Sequence, residues 1–249
     1  FPPPGGSDGS YGGSLLPAGP LESLEARYEA VRTRVAQSLK AAGRDPASLR
    51  IMAVTKGHDR ERVDELRRMG LTLFGENRVQ EARAKFPDAV REGLNLHLIG
   101  HLQTNKVKSA LEIFQVIQSL DSIRLAETMV ARAAGRTVSV MVEVNAGREP
   151  QKYGVWPEAV PAFLDSLGKV SAVRVIGLMA VVPYVSDTRA YMEETAAVWR
   201  KERSVGRPWA PLDDLSMGSS NDFEEAIGHG STLIRLGSVL VGERPGYPG

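Results

Sequence analysis

A lysine at the end of an apolar segment is the residue of this sequence best suited to covalent chemistry. Lys56 follows that segment directly, and because strand side chains alternate, it shares a face with Met52 and Val54. Burial of an ammonium group lowers its pKa, which makes such a lysine a candidate nucleophile toward an aldehyde or ketone. The alternative is a lysine that reaches solvent and pairs with Glu76 or Glu143.

Two small turns rich in hydrogen-bond donors could hold an anion. Residues 218–222 read GSSND and precede a predicted helix, while Gly237 and Ser238 follow another apolar run. Hydroxyl and backbone N–H groups at such turns bind phosphate, although Ser220 or Asn221 could simply cap the helix. A reactive lysine combined with a phosphate-binding turn indicates pyridoxal 5′-phosphate (PLP), a cofactor that needs both an amine partner and a phosphate anchor.

Arg235 lies inside the last apolar run, LIRL, two residues before the Gly237 turn. A buried guanidinium group needs a partner. If it faces the pyridine nitrogen of PLP, Arg235 donates a hydrogen bond and keeps that nitrogen unprotonated. The alternative is an ion pair with Glu143 or another carboxylate inside the fold.

Eight short apolar runs must position these side chains. They occupy residues 51–55, 71–74, 96–99, 113–117, 138–144, 173–181, 212–215 and 233–236. Longer charged stretches with helical spacing lie between them, and this alternation indicates parallel βαβ units. Eight such units predict an α/β fold with a single (β/α)8 TIM-type barrel, whose active site lies at the carboxyl ends of the strands. A doubly wound open sheet is the alternative, but its usual glycine-rich loop after the first strand is missing.

The predicted barrel has an additional N-terminal helix and is preceded by a segment of different composition. Apolar residues at helical spacing predict an amphipathic helix over residues 21–42, ended by Gly43. Residues 1–20 contain six Gly and five Pro, and we interpret them as a disordered N-terminal arm or a cloning remnant. Residues 21–249 are assigned to the PLP-binding barrel domain.

The composition excludes several classes of protein and site. The sequence of 249 residues has no cysteine, which excludes disulfides, thiolate nucleophiles and iron–sulfur clusters. The 31 Lys and Arg residues nearly balance 30 Asp and Glu residues, unlike the concentrated basic surface of nucleic-acid-binding proteins. His97 and His101 are four residues apart, but their predicted position at a strand end argues against a metal site. We expect a cytoplasmic monomer without nucleic-acid or membrane partners.

Seven segments carry a resemblance to a known family. They read IMAVTK (51–56), GENRVQE (75–81), LHLIGHLQTNK (96–106), SLDS (119–122), GLMAV (177–181), SMGSSNDFEEAI (216–227) and GSTLIRLGSVLVGER (230–244). From about residue 21 to residue 244 the chain resembles the YggS/PROSC family of pyridoxal phosphate homeostasis proteins. That family is similar to the barrel domain of alanine racemase. The resemblance implies a PLP fold-type III barrel that binds its cofactor as an internal aldimine.

The resemblance also implies a role for particular residues. These are Lys56 as the Schiff-base lysine, Arg235 beside the pyridine nitrogen, Ser220, Gly237 and Ser238 at the phosphate, and Asn77 and Met179 near the cofactor. Two positions depart from the family pattern, since Ser219 stands where Met is usual and Arg78 where Tyr is usual. Ser219 would add or rearrange a hydroxyl at the phosphate, and the role of the loop that carries Arg78 stays open.

Whether the protein turns over a substrate depends on a second acid/base group. Racemisation needs one such group on each face of the planar intermediate, and alanine racemase takes the second, a tyrosine, from a further domain and a partner subunit. Because the sequence ends eight residues after Val241, we expect no such domain, which leaves Tyr153 and Tyr184 as substitutes. We therefore predict a PLP-binding homeostasis protein without robust turnover, which exchanges cofactor with amino acids or PLP-dependent apoenzymes. The alternatives are a PLP-dependent amino-acid racemase and a barrel that binds another phosphorylated metabolite.

Overall fold

Eight parallel strands form a closed barrel in sequence order in the computed structural model, which describes residues 23–88 and 92–243. The strands are β1 Arg50–Val54, β2 Leu73–Glu76, β3 Asn95–Leu98, β4 Val116–Leu120, β5 Val138–Asn145, β6 Val173–Val181, β7 Asp214–Ser216 and β8 Leu233–Leu236. The predicted (β/α)8 barrel is therefore confirmed. The predicted arm at residues 1–20 and the two predicted ends of the barrel domain lie outside the described residues.

Helices cover the outer face of the barrel. They are α1 Leu24–Ala41, α2 Arg60–Arg68, α3 Val79–Lys85, α4 Val107–Leu111, α5 Ile123–Arg132, α6 Val160–Leu167, α7 Arg189–Ser204, α8 Phe223–Gly228 and α9 Ser238–Val241. The sequence patterns did not identify α4, α7 or α9. Within residues 23–88 and 92–243, none of the helices combines the length and apolar character that a membrane crossing requires.

The additional N-terminal helix begins and ends with sequence-encoded caps. Ser23 accepts a hydrogen bond from the backbone N–H of Ala26 (3.1 Å), which satisfies one free donor of the first turn of α1. At the other end Gly43 has a φ of 63°, the left-handed conformation that terminates many helices. The helix packs on α8 and α9, where Arg34 binds Glu224 (2.6 Å).

Three strands begin later than their apolar runs predict. Residues 71–72 precede β2, and residues 113–115 form a turn in which Ile113 N–H donates to the carbonyl of Ala110 (3.1 Å). Before β7, Leu212 has a φ of 50°, a left-handed conformation that interrupts the extended chain. The apolar residues at these three places are buried, but they lie in the segments that precede the strands and not in the strands themselves.

Side chains fill the barrel interior, so that it is a packed core rather than a channel. Alternate residues of the strands point inward and form a separate apolar cluster of Met52, Leu73, Val116, Met141, Met179 and Leu233. The residues between them point outward and pack against the helices. Because the interior is filled, a ligand binds outside it, and in barrels of this kind the active site lies at the carboxyl ends of the strands.

Candidate functional site

The pairing of β1 with β8 brings the predicted cofactor residues to one end of the barrel. Met52 lies opposite Arg235 and Ala53 lies opposite Leu236. A Cβ atom placed on Gly237 would lie 3.9 Å from the side chain of Val54, the last residue of β1. The segment with Lys56 and the turn after β8 are therefore neighbours.

A cavity of about 530 Å³ opens at this end of the barrel, a volume suited to a small organic ligand. Its walls include Arg235, Ser219 and residues 181–189, which run from the end of β6 to the start of α7. Met179 lies deeper, 2% exposed and packed in the apolar cluster of the interior. Lys56 and Asn77, directly after β1 and β2, are not among the residues that line the cavity, and neither are Ser220, Gly237 and Ser238.

A buried polar cluster outside the barrel wall holds the backbone on both sides of Lys56. Lys85 Nζ donates to Glu76 Oε1 (2.7 Å) and to the carbonyl of Thr55 (2.7 Å). Thr55 Oγ1 donates to the same Glu76 oxygen (2.6 Å). On the other side, the N–H of Gly57 donates to Glu81 Oε1 (2.5 Å), which Lys85 also contacts. Lys56, itself partly buried, thus lies between two anchored residues.

Glu76, one of the two carboxylates considered as partners for Lys56, is bound by a different lysine. Glu76 pairs with Lys85 because its side chain points toward α3 and away from the barrel interior. Burial raises the pKa of Glu76, and the positive charge of Lys85 opposes that rise.

The turns after β7 and β8 are joined through a serine hydroxyl. Ser220 Oγ accepts hydrogen bonds from the N–H groups of Gly237 (3.1 Å) and Val239 (3.4 Å). Two backbone donors of the turn after β8 therefore converge on the Ser220 hydroxyl, which fixes that hydroxyl beside the turn. Gly218 is required nearby, because it has a φ of 99° and a Cβ there would lie 2.6 Å from the Cβ of Ala226.

Ser219 is engaged by a carboxylate in the same loop. Its backbone N–H (2.6 Å) and its hydroxyl (2.8 Å) both donate to Asp222 Oδ1. Asp222, rather than Ser220 or Asn221, is the residue that precedes α8 at the cap position. In this arrangement the hydroxyl of Ser219 stabilises the loop.

Arg235 has two neutral hydrogen-bond partners. Nη1 donates to Ser216 Oγ (2.9 Å) and Nη2 donates to the carbonyl of Ala180 (2.9 Å). Its partners are therefore not the carboxylate that the ion-pair alternative requires. Burial lowers the pKa of Arg235 to about 10, while the charges of Asp222 and Glu143 act in the opposite direction.

Four buried side-chain oxygens have no hydrogen-bond partner within the described part of the chain: Glu76 Oε2, Asn77 Oδ1, Glu143 Oε2 and Glu149 Oε2. Two of them concern the predicted site, Asn77 Oδ1 directly after β2 and Glu143 Oε2 on β5. Buried polar atoms are normally satisfied, so these two are candidates for ligand contact. Burial and the nearby charge of Asp121 raise the pKa of Glu143 to about 7. Asn77 is also tightly placed, since a Cβ on Gly100 would lie 2.2 Å from its carbonyl oxygen.

The two tyrosines considered as acid/base groups both stand on exposed loops. Tyr153 is 55% exposed and stacks on His101 with ring centroids 3.5 Å apart. His101 in turn faces Asp121, with Nδ1 and Oδ2 separated by 3.6 Å. Tyr184 is 93% exposed on the wall of the cavity.

Several residues that organise the site escaped the sequence analysis. Lys85 stands on a helix that reads as an ordinary charged surface. Gln118 is a polar residue inside the strand VIQSL, and a break of this kind in an apolar pattern is a signal for a buried hydrogen bond. Ser216 is the last residue of β7, whose sequence DLS gives no such signal. Asp222 is part of the GSSND turn in the sequence, and its role as the acceptor for Ser219 depends on the folded loop.

Comparisons with known proteins agree with the geometry. Residues 23–245 match the family model described as alanine racemase, N-terminal domain. The pyridoxal phosphate homeostasis protein of Pseudomonas aeruginosa is 37% identical over 229 residues, which are 90% of this chain and 97% of that protein. The protein of the same name from Aquifex aeolicus is 36% identical over 226 residues, 88% of this chain and 97% of the relative.

Solved structures extend the likeness to three dimensions. The structure of PipY from Synechococcus elongatus with PLP bound has a TM-score of 0.76 and 32% identity, and the match covers 88% of this chain and all of PipY. An alanine racemase from Clostridium difficile has a TM-score of 0.67 but 16% identity, with 92% of this chain matched to 58% of the racemase. That second likeness shows the fold alone. The chain therefore belongs to the family of pyridoxal phosphate homeostasis proteins, whose barrel is that of the alanine racemase N-terminal domain.

Proposed function

We propose that this protein binds PLP at the carboxyl end of its barrel and serves to hold, buffer and supply the cofactor in the cell. The observation that carries the proposal is the placement of Lys56, Arg235 and the joined turns at Ser220 and Gly237 on the adjacent ends of β1, β8 and β7. An amine, a pyridine partner and an anion site are what PLP requires. The PLP-bound structure of PipY, a relative covered over its whole length, supports the proposal.

Each predicted residue has a part in the proposed complex. Bound PLP supplies an aldehyde that reacts reversibly with amines, and Lys56 is the amine that holds it. Ser220, Gly237 and Ser238 bind the phosphate through hydroxyl and backbone N–H groups. Arg235 donates to the pyridine nitrogen and keeps it unprotonated.

The remaining predicted residues border the cofactor. Met179 would offer an apolar contact to the cofactor, and Asn77 would offer it an unpartnered oxygen. Ser219 contributes through the loop that it forms with Asp222.

The racemase alternative finds less support in the arrangement of the residues. The alanine racemases are similar in fold alone, and both candidate tyrosines stand on exposed loops. A general acid works best where water is excluded. We therefore propose a carrier without robust turnover, a cytoplasmic monomer that exchanges PLP with amino acids and with PLP-dependent apoenzymes, and not a partner of nucleic acids or membranes.

An absorption titration of the purified protein with PLP tests the proposal. The wild-type protein should develop the band of a covalent PLP–amine adduct that survives dialysis. Lys56→Ala should lack that band and keep the fold, because only one strand-end side chain is removed. A wild-type protein that gains no such band but binds other phosphorylated metabolites would contradict our proposal. It would support the alternative of a barrel that binds another phosphorylated metabolite. A band that persists in Lys56→Ala would show that Lys56 is not the residue that holds PLP.

A further inference from the structure

A series of buried hydrogen bonds leads from Arg235 across the barrel interior. Arg235 Nη1 donates to Ser216 Oγ (2.9 Å), and Ser216 Oγ donates to Gln118 Oε1 (2.7 Å). Gln118 Nε2 lies 2.8 Å from His97 Nδ1, and His97 Nε2 lies 3.1 Å from Asn95 Oδ1. Ser216 and Gln118 are fully buried and His97 is 2% exposed, so water does not compete for the two central bonds, whereas the bonds to Arg235 and Asn95 are partly buried. We call this series the interior chain.

Donor and acceptor chemistry fixes the direction of each bond in the interior chain. A guanidinium group only donates, so the oxygen of Ser216 accepts from Arg235 and its hydroxyl proton is left for Gln118 Oε1. The amide of Gln118 then turns its NH₂ group toward His97, whose Nδ1 has to accept and whose Nε2 carries the proton. The opposite amide orientation would leave the Ser216 hydroxyl proton buried without an acceptor, which is unfavourable.

The surroundings of His97 preserve this direction. Burial lowers the pKa of His97 to about 3, and the charge of Arg50 acts in the same sense. Arg50 is itself paired with Asp214 (2.5 Å). His97 therefore remains neutral, and its Nδ1 remains an acceptor, at the pH values at which most proteins work.

We infer that Ser216, Gln118 and His97 are positioning residues that fix the orientation of Arg235 and leave its remaining N–H groups for the cofactor. The inference deepens the proposed function and rests on it. Arg235 has one further hydrogen bond in the described part of the chain, from Nη2 to the carbonyl of Ala180. Ser216 therefore holds one end of the guanidinium group and Ala180 the other.

Cofactor binding should respond to the interior chain in a graded way. Ser216→Ala removes an acceptor from a charged donor, and we expect PLP affinity to fall about tenfold, equivalent to 1.4 kcal/mol, with a shifted absorption maximum. Gln118→Leu acts one hydrogen bond further from Arg235, so it should lower the PLP affinity by only about threefold. Ser216→Thr keeps the hydroxyl and should therefore retain the PLP affinity that Ser216→Ala loses.

Ser231→Ala is the matched control for Ser216→Ala. Ser231 is also fully buried, but its hydroxyl donates to backbone carbonyls and does not contact Arg235. We expect this control to lower thermal stability without moving the absorption maximum of bound PLP. Ser216→Ala and Gln118→Leu could instead lower stability without changing the PLP affinity or the absorption spectrum of bound PLP any more than Ser231→Ala does. In that case Ser216 and Gln118 are merely structural and the inference is wrong.

The protonation of His97 tests the interior chain without any cofactor. In protein labelled with ¹⁵N-histidine, the His97 signals, assigned by their loss in His97→Asn, should report the neutral form with the proton on Nε2 between about pH 6 and 8. A proton on Nδ1, or titration within that range, would overturn the direction of the chain. If the wild-type protein binds no PLP, the proposed function fails, and the His97 signals still decide whether the chain exists as described.

Discussion

Replacement of Lys85 by methionine should show how strongly the buried cluster supports the segment that carries Lys56. The Lys85 and Glu76 side chains are 6% and 0% exposed, and their charged atoms are 2.7 Å apart. Removing one partner of a buried ion pair leaves the other charge without compensation and destabilises a protein by about 3–5 kcal/mol. Because Glu76 can escape part of this penalty by taking up a proton, we expect Lys85→Met to lower the free energy of unfolding by about 3 kcal/mol at pH 7.

The loss should depend on pH with a definite sign. Without Lys85, nothing of comparable strength opposes the effect of burial, which already raises the pKa of Glu76. A carboxyl group with a raised folded-state pKa stabilises the protein below its unfolded-state value and loses that contribution as the pH rises. The variant should therefore be destabilised less at pH 5 than at pH 7, as measured by urea denaturation of the cofactor-free protein.

An exposed ion pair of the same length provides the control. Arg200 and Glu193 are also 2.7 Å apart, but their side chains are 50% and 54% exposed, and exposed pairs contribute little to stability. Arg200→Met should therefore have a much smaller effect than Lys85→Met. The double variant Lys85→Met with Glu76→Gln should recover part of the loss, since no buried charge remains. If Lys85→Met were no worse than the control, or equally harmful at pH 5 and pH 7, the cluster would not stabilise this region as described.

Three further predictions follow from the site. Burial raises the pKa of Glu143 to about 7, so the free energy of unfolding of the cofactor-free wild type should fall by roughly 3 kcal/mol as the pH rises from about 4.5 to 7. Glu143→Gln should abolish this fall, as measured by denaturation across that pH range. Parallel dependences of stability on pH for the two proteins would contradict the prediction. Pyridoxal should bind at least tens of times more weakly than PLP, since charge-assisted hydrogen bonds contribute about 1.5–3 kcal/mol each. In the same titration, Ser220→Ala should weaken PLP binding more than Ser219→Ala. Equal affinities for PLP and pyridoxal would contradict the proposed phosphate site. Alanine racemisation should be slow or undetectable by deuterium incorporation at Cα. Turnover of about 1–1000 per second would reveal a second acid/base group, for which Tyr153 and Tyr184 are the first residues to replace.

Much of the fold could be predicted from the sequence because a closed barrel repeats one pattern. Each apolar run is bounded by polar residues, so eight runs indicate eight strands even where their ends shift. The shifts have local causes that the pattern does not reveal, such as the left-handed conformation of Leu212. The helix α7, Arg189–Ser204, lies in a mixed stretch that was not recognised as helical.

The strand ends identified candidate residues, but the partners of those residues depend on tertiary contacts. The strand-end positions allow Glu76 as a partner for Lys56, but the Glu76 side chain lies on the outer side of β2 and pairs with Lys85. Ser216 and Gln118 are 98 positions apart in sequence, and the register shift within β4 decides which of its side chains point inward. Neither contact can be obtained from spacing alone.

Reductive trapping followed by peptide mapping tests the central claim most directly. Borohydride treatment of the PLP-loaded protein should fix the cofactor irreversibly, and mass spectrometry should place it on the peptide that contains Lys56, with no such adduct in Lys56→Ala. Cofactor found on Lys106 or Lys152 instead, or the absence of any trapped adduct, would contradict the placement of PLP between the ends of β1, β7 and β8.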